Sequence, residues 1–137
     1  MRKINKIIIH CSATPCNVDY DIEDIRSWHK QRGFKDVGYH FVIKLDGTIQ
    51  LGRDISVIGA HCKGHNHDSI GICYIGGLDD NGQPCDTRTP EQKQSLSVLV
   101  SFLRLCYDVT VHGHNEFANK ACPCYDVKEH RKEVFKL

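Results

Sequence analysis

Apolar and polar positions along the chain alternate between two periods, and the change of period marks the elements. Ile4 to Ile9 is rich in β-branched apolar residues and reads as a buried central strand ending at His10. Cys11 to Tyr20, with Pro15 and Asn17, reads as a loop. Asp21 to Arg32 has helical spacing, with Ile22, Ile25 and His29 on one face, Trp28 beside them as a core residue, and Gly33 as the stop. Tyr39 to Leu45 and Thr48 to Leu51 flank Asp46-Gly47, a two-residue hairpin signal. Ser69 to Ile75 is a further strand, and a Gly- and Asp-rich loop follows through Arg88. Thr89-Pro90-Glu91-Gln92 is a capping box with proline at the first helical position. Its helix runs to about Cys106 and buries Leu96, Leu99, Val100 and Leu103. Val109 to Val111 is a last short strand leading into His112, and Asp126, with Glu129 three residues on, caps a short C-terminal helix. Strands and helices alternate irregularly with one hairpin. The prediction is an α/β fold, a mixed central β-sheet with helices on its faces.

Composition narrows the classes. At 137 residues the chain is the length of one domain, taken as residues 1–137. Hydrophobic residues at 40% and charged residues at 26% are globular proportions that support a core without disulfide staples. Eighteen basic against 17 acidic residues leave a formal charge of +1, so bulk charge offers nothing to nucleic acid or anionic lipid. No apolar run approaches the ~20 residues of a membrane helix. The first nine residues are broken by charge and lack a cleavage site, which is not a signal-peptide pattern. A monomer made in the cytoplasm is expected, with reduced thiols for its eight cysteines.

Nine histidines and these cysteines carry the candidate chemistry. His10 ends a predicted strand, His114 follows another, and Cys122 comes eight residues later in a loop with Pro123. Three ligands of His and Cys type with an open fourth position make a catalytic zinc site, and imidazole with thiolate favours zinc over magnesium or calcium. Spacing alone leaves the alternative of ordinary surface histidines and a free thiol. Cys122-Pro123-Cys124 is too short for a relaxed disulfide.

Several separated segments resemble a known family in order. They are Ile7-Ile8-Ile9-His10-Cys11-Ser12-Ala13-Thr14, Ile25-Arg26-Ser27-Trp28-His29, Gly38-Tyr39-His40-Phe41-Val42-Ile43 and Asp46-Gly47-Thr48. Gly59-Ala60-His61, Gly64-His65-Asn66, Ser69-Ile70-Gly71-Ile72, His112-Gly113-His114-Asn115, Lys120-Ala121-Cys122-Pro123 and Tyr125-Asp126-Val127 complete the set. The chain resembles zinc-dependent N-acetylmuramoyl-L-alanine amidases of the short phage lysozyme type, relatives of peptidoglycan recognition proteins. The resemblance implies hydrolysis of the amide between N-acetylmuramic acid and the L-alanine of the stem peptide in peptidoglycan, on the cell wall after release or export. It implies one zinc ion on His10, His114 and Cys122, with Tyr39 as a catalytic tyrosine and Lys120 supporting the reacting carbonyl. Cys124 departs from the family pattern and reads as a neutral replacement rather than an alternative ligand.

Chemistry agrees with this set. Zinc lowers the pKa of bound water and polarises a carbonyl, a lysine meets the developing oxyanion, and a phenol orients water or relays a proton. Outside the resemblance, Tyr39 reads as a strand aromatic and Lys120 as a loop cation. His61 either lines the substrate groove or hydrogen-bonds near the metal, while His65 and Asn66 fix their loop through side-chain to backbone bonds. Competing readings are a non-catalytic peptidoglycan-binding module, a thiol hydrolase using Cys11 or Cys122, and a redox or structural zinc protein.

Overall fold

The computed structural model describes residues 1–129. Its strands, in chain order, are β1 (Lys6–Cys11), β2 (Thr14–Pro15), β3 (Phe41–Ile43), β4 (Ile49–Leu51), β5 (Ser69–Tyr74), β6 (Gly77–Leu78) and β7 (Thr110–Gly113). Five of them form a sheet ordered β4-β3-β5-β1-β7. β3, β5, β1 and β7 run parallel, and β4 is the antiparallel edge. This is the mixed sheet expected. With a strand on either side and a helix-bearing layer on each face, β1 is apolar without alternation, and Ile7 to Cys11 are all buried.

Helices α1 (Ile22–Gln31) and α2 (Pro90–Cys106) take opposite faces. Ile22 and Ile25 of α1 pack on Val37, Val42, Cys73 and Ile75. Leu96, Leu99, Val100 and Leu103 of α2 pack on Ile7, Ile9, Ile70, Ile72 and Val111. α1 begins at Asp21, whose side chain accepts from the backbone N–H groups of Glu23 and Asp24, and it closes before Gly33 at φ +94°. α2 carries the expected capping box at Thr89 and Gln92. Trp28 is half-buried, with its ring 5.0 Å from that of Tyr20.

Three local expectations need correction. The hairpin loop has three residues, Leu45 to Gly47, because the backbone N–H groups of Lys44 and Gly47 donate to Thr48 O and Lys44 O respectively. Gly47 takes the left-handed position at φ +88°, the geometry of a three-residue loop with a bulge. The two stretches read as loops each contain a short strand, β2 and β6, paired in parallel. Two-residue strands have too few positions for a period to register. Asp126 Oδ1 accepts from Lys128 N–H at 2.9 Å, as a cap should. The helix body expected beyond Glu129 falls outside the described residues. No described helix is long and apolar enough to cross a membrane.

Candidate active site

Register places the first two site residues together. Ile9 pairs with Gly113, so the next residues along parallel β1 and β7, His10 and His114, become neighbours, with ring centroids 4.5 Å apart. Both are buried. They stand at the carboxyl ends of parallel strands, where open α/β sheets commonly hold ligands. Cys122 arrives on a loop tied to the sheet from two sides. Tyr74 Oη of β5 donates to Pro123 O at 2.6 Å, and Cys11 N–H donates to Cys122 Sγ at 3.3 Å. Cys122 Sγ then lies 3.8 Å from His10 Nδ1. One donor atom from each of His10, His114 and Cys122 falls within 4.8 Å of the others.

Electrostatics suit a cation there. Burial, reinforced by His61, His114 and Lys120, holds His10 well below its ordinary pKa. Burial and then the Lys120 charge lower His114. Both rings are therefore neutral near pH 7, with a lone pair free to bind a metal. Two imidazoles and a thiol are the donor set of an open zinc site, so the residues fit that ion.

Tyr39 sits against this cluster, its ring centroid 5.1 Å from that of His10. Burial, with the Cys73, Cys122 and Cys11 thiols nearby, raises its pKa, so the phenol keeps its proton. His29 supports it from beneath: Nδ1 accepts from Gly38 N–H at 2.8 Å, and its ring lies 5.4 Å from Tyr39. Lys120 is exposed at the rim, and its charge reaches both His10 and His114.

His61 lies beside the cluster: its Nδ1 is 2.8 Å from His10 Nε2. Of the two roles open to it, this contact bears on the one beside the His10, His114 and Cys122 cluster. Asn66 fixes the loop as expected, its Oδ1 accepting from the N–H groups of His61 and Cys62, both at 2.9 Å. His65 holds the loop otherwise than expected, through its main chain and by ring contact with Phe117 at 4.3 Å. Cys124 Sγ pairs with Cys11 Sγ at 3.7 Å and stands outside the three-donor cluster. All eight cysteines are free. Sequence reasoning missed Tyr74 and Ser69 as partners of the site. Tyr74 looks like any strand aromatic until Pro123 is brought to it, and Ser69 opens a strand with no polar signature of its own.

Residues 1–125 match the family described as N-acetylmuramoyl-L-alanine amidase. The chain is 49% identical over 123 residues to an endolysin of Escherichia phage T7, covering 89% of this chain and 82% of that protein. It is 31% identical over 128 residues to a peptidoglycan-recognition protein of Drosophila melanogaster, covering 90% of this chain and 70% of that protein. Among solved structures, N-acetylmuramoyl-L-alanine amidase LysC from Clostridium intestinale URNW aligns at a TM-score of 0.84 with 30% identity, over 97% of this chain and 86% of that chain.

Proposed function

The chain belongs to the N-acetylmuramoyl-L-alanine amidase family and acts on peptidoglycan; on that premise we propose that it is a zinc hydrolase, with His10, His114 and Cys122 as the ligands and Tyr39 and Lys120 as the catalytic groups. The bond cut is the amide between the lactyl group of N-acetylmuramic acid and the first L-alanine of the stem peptide. The observation that carries this reading is the convergence of two neutral imidazoles and a thiol within 4.8 Å at the strand ends. Zinc held there would supply Lewis acidity and a water of lowered pKa. One thiolate among the ligands keeps the formal charge of the site at +1, which still attracts a carbonyl oxygen.

The chain's own groups do the rest. The Lys120 ammonium stands at the rim, reaches the carbonyl from the solvent side and meets negative charge as it develops on oxygen. The Tyr39 phenol, kept protonated by burial, orients the attacking water and passes a proton. The enzyme meets its substrate in the cell wall after release or export. Digestion of purified cell wall followed by mass spectrometry tests the reaction. Free stem peptides beginning with L-alanine and intact glycan strands are expected. New reducing sugar ends would overturn the assignment, as would undigested wall in the presence of bound zinc.

A further inference from the structure

We propose that His61 and Ser69 are positioning residues that hold His10 with its proton on Nε2 and its Nδ1 lone pair turned toward His114 and Cys122. This deepens the zinc reading above and rests on it for its purpose, though not for its geometry.

A chain of contacts fixes where each proton sits. His10 Nε2 lies 2.8 Å from His61 Nδ1, and His61 Nε2 lies 3.2 Å from Ser69 Oγ. Ser69 Oγ lies 2.7 Å from the main-chain oxygen of His65. A carbonyl oxygen carries no proton, so at that distance the serine hydroxyl must donate to it. Serine has one O–H. Once that is spent, Ser69 Oγ can only accept from His61, and the His61 proton must sit on Nε2. A neutral imidazole carries one N–H, which leaves His61 Nδ1 as an acceptor. His10 Nε2 must then be the donor, and His10 Nδ1, the atom 3.8 Å from Cys122 Sγ, is bare. The tautomer at the metal end is thus dictated three contacts away, by a peptide carbonyl that cannot change its role.

The surroundings hold this relay in place. Ser69 is fully buried. The His61 ring lies against β5, where Gly71 leaves the space: a Cβ there would meet ring atoms Cδ2 at 2.6 Å and Cγ at 2.7 Å. Asn66 Oδ1 pins the main chain of His61 and Cys62 from the other side. Three of the separated sequence segments, Gly59-Ala60-His61, Gly64-His65-Asn66 and Ser69-Ile70-Gly71-Ile72, supply parts of this one device. Metal-bound histidines ordinarily give their second N–H to a carboxylate, a peptide carbonyl or water. Here a neutral imidazole receives it, which orients the ligand ring without adding negative charge beside the thiolate.

Nitrogen-15 NMR of the metal-free wild-type protein tests the relay directly, because the shifts report which ring nitrogen carries the proton. The expected result is Nε2–H on both His10 and His61. A proton on His61 Nδ1 would overturn the proposal whether or not zinc binds. Zinc affinity, measured by competition with a chromophoric chelator, tests its purpose. Ser69→Ala and His61→Leu should weaken zinc by ~10–100-fold, as loss of an outer partner of a ligand does. His61→Gln should recover much of that loss, since its amide oxygen can accept from His10 Nε2. Wild-type affinity in His61→Leu would show that the relay does not position the ligand. Failure of the wild-type protein to bind zinc would instead defeat the zinc reading and leave the tautomer measurement standing.

Discussion

At the scale of single residues, the site depends on what each donor atom is rather than on how much volume it fills. Cys122→Ser keeps a heavy atom for Cys11 N–H to approach but replaces a soft sulfur donor by a hydroxyl. The variant should fold with the thermal midpoint of the metal-free wild-type protein and lose zinc on dialysis, as read by elemental analysis; full retention of the metal would remove Cys122 from the ligand set. Tyr39→Phe and Lys120→Ala probe the groups proposed to act on substrate. Phenylalanine keeps the ring beside His10, and Lys120 is exposed, so zinc content should hold while turnover on cell wall falls by ~100-fold or more. Near-normal rates with zinc bound would return both to the roles of strand aromatic and loop cation. His10, His114 and Cys122 stood out as candidates because donor type and strand-end position survive in a linear string, while spacing alone left ordinary histidines and a free thiol open. Tyr39 and Lys120 have no such mark, and only the resemblance singles them out. The link from His61 through Ser69 to the His65 carbonyl was not legible, since it depends on a tight turn folding a loop back onto the strand it precedes.

Elements are joined here by side chains that do two jobs, and Gln92 shows how much rests on one amide. Its Oε1 accepts from Thr89 N–H to complete the cap of α2. Its Nε2 donates to Ile75 O at 2.9 Å and to Ile43 O at 3.3 Å, at the ends of β5 and β3, and the side chain is fully buried. Ile43 O also accepts from Ile75 N–H, so the loss of Gln92 falls mainly on Ile75 O. Gln92→Leu should therefore cost about 2–4 kcal/mol, the sum of an orphaned buried carbonyl and half a capping box. Thr89→Ala spares Ile75 O and, besides the cap, loses only the Thr89 Oγ1 bond to the partly exposed Leu45 O, so it should cost about 1–2 kcal/mol. Urea unfolding curves measure both, and equal losses in the two variants would contradict the double role. The capping box was readable because all of its information lies within four residues. The other end of the Gln92 amide was not, because its acceptors come from strands distant in sequence. The same division explains the hairpin. Asp46-Gly47 announced a reversal, but whether the loop held two residues or three was set by how β4 registers on β3.

For the whole molecule, alternating strand and helix patterns were enough to give a mixed sheet with a helix on each face, whereas the strand order β4-β3-β5-β1-β7 was not written in any local pattern. That order carries the site, since it seats β7 against β1 and so His114 against His10. It also buries two histidines that are not members of the His10, His114 and Cys122 cluster, with a consequence for stability. His40 Nδ1 accepts from Gly71 N–H and its Nε2 donates to Val57 O, while His29 Nδ1 accepts from Gly38 N–H. In each, a second proton would have to displace a main-chain donor. Burial first, with nearby arginines adding to it, lowers each to about 4 from the ordinary 6.5. The folded state thus keeps both rings neutral through a range in which the unfolded chain protonates them. Below pH 6.5 the unfolded chain binds more protons, so stability present at neutral pH declines as the pH falls toward 4. The loss should be about 2 kcal/mol per histidine at about pH 5. The lowered carboxylates Asp36 and Asp86 do not enter this window, because their contribution is lost only below the ordinary aspartate value of 3.8. Thermal midpoints of the metal-free protein should therefore fall steadily from about pH 7 to about pH 5, with the buried His10, His61 and His114 adding to the fall in the same direction. A His40→Gln variant, whose amide offers both an acceptor and a donor, should show a shallower fall; a flat wild-type profile over that range would mean that neither ring is held neutral by the fold.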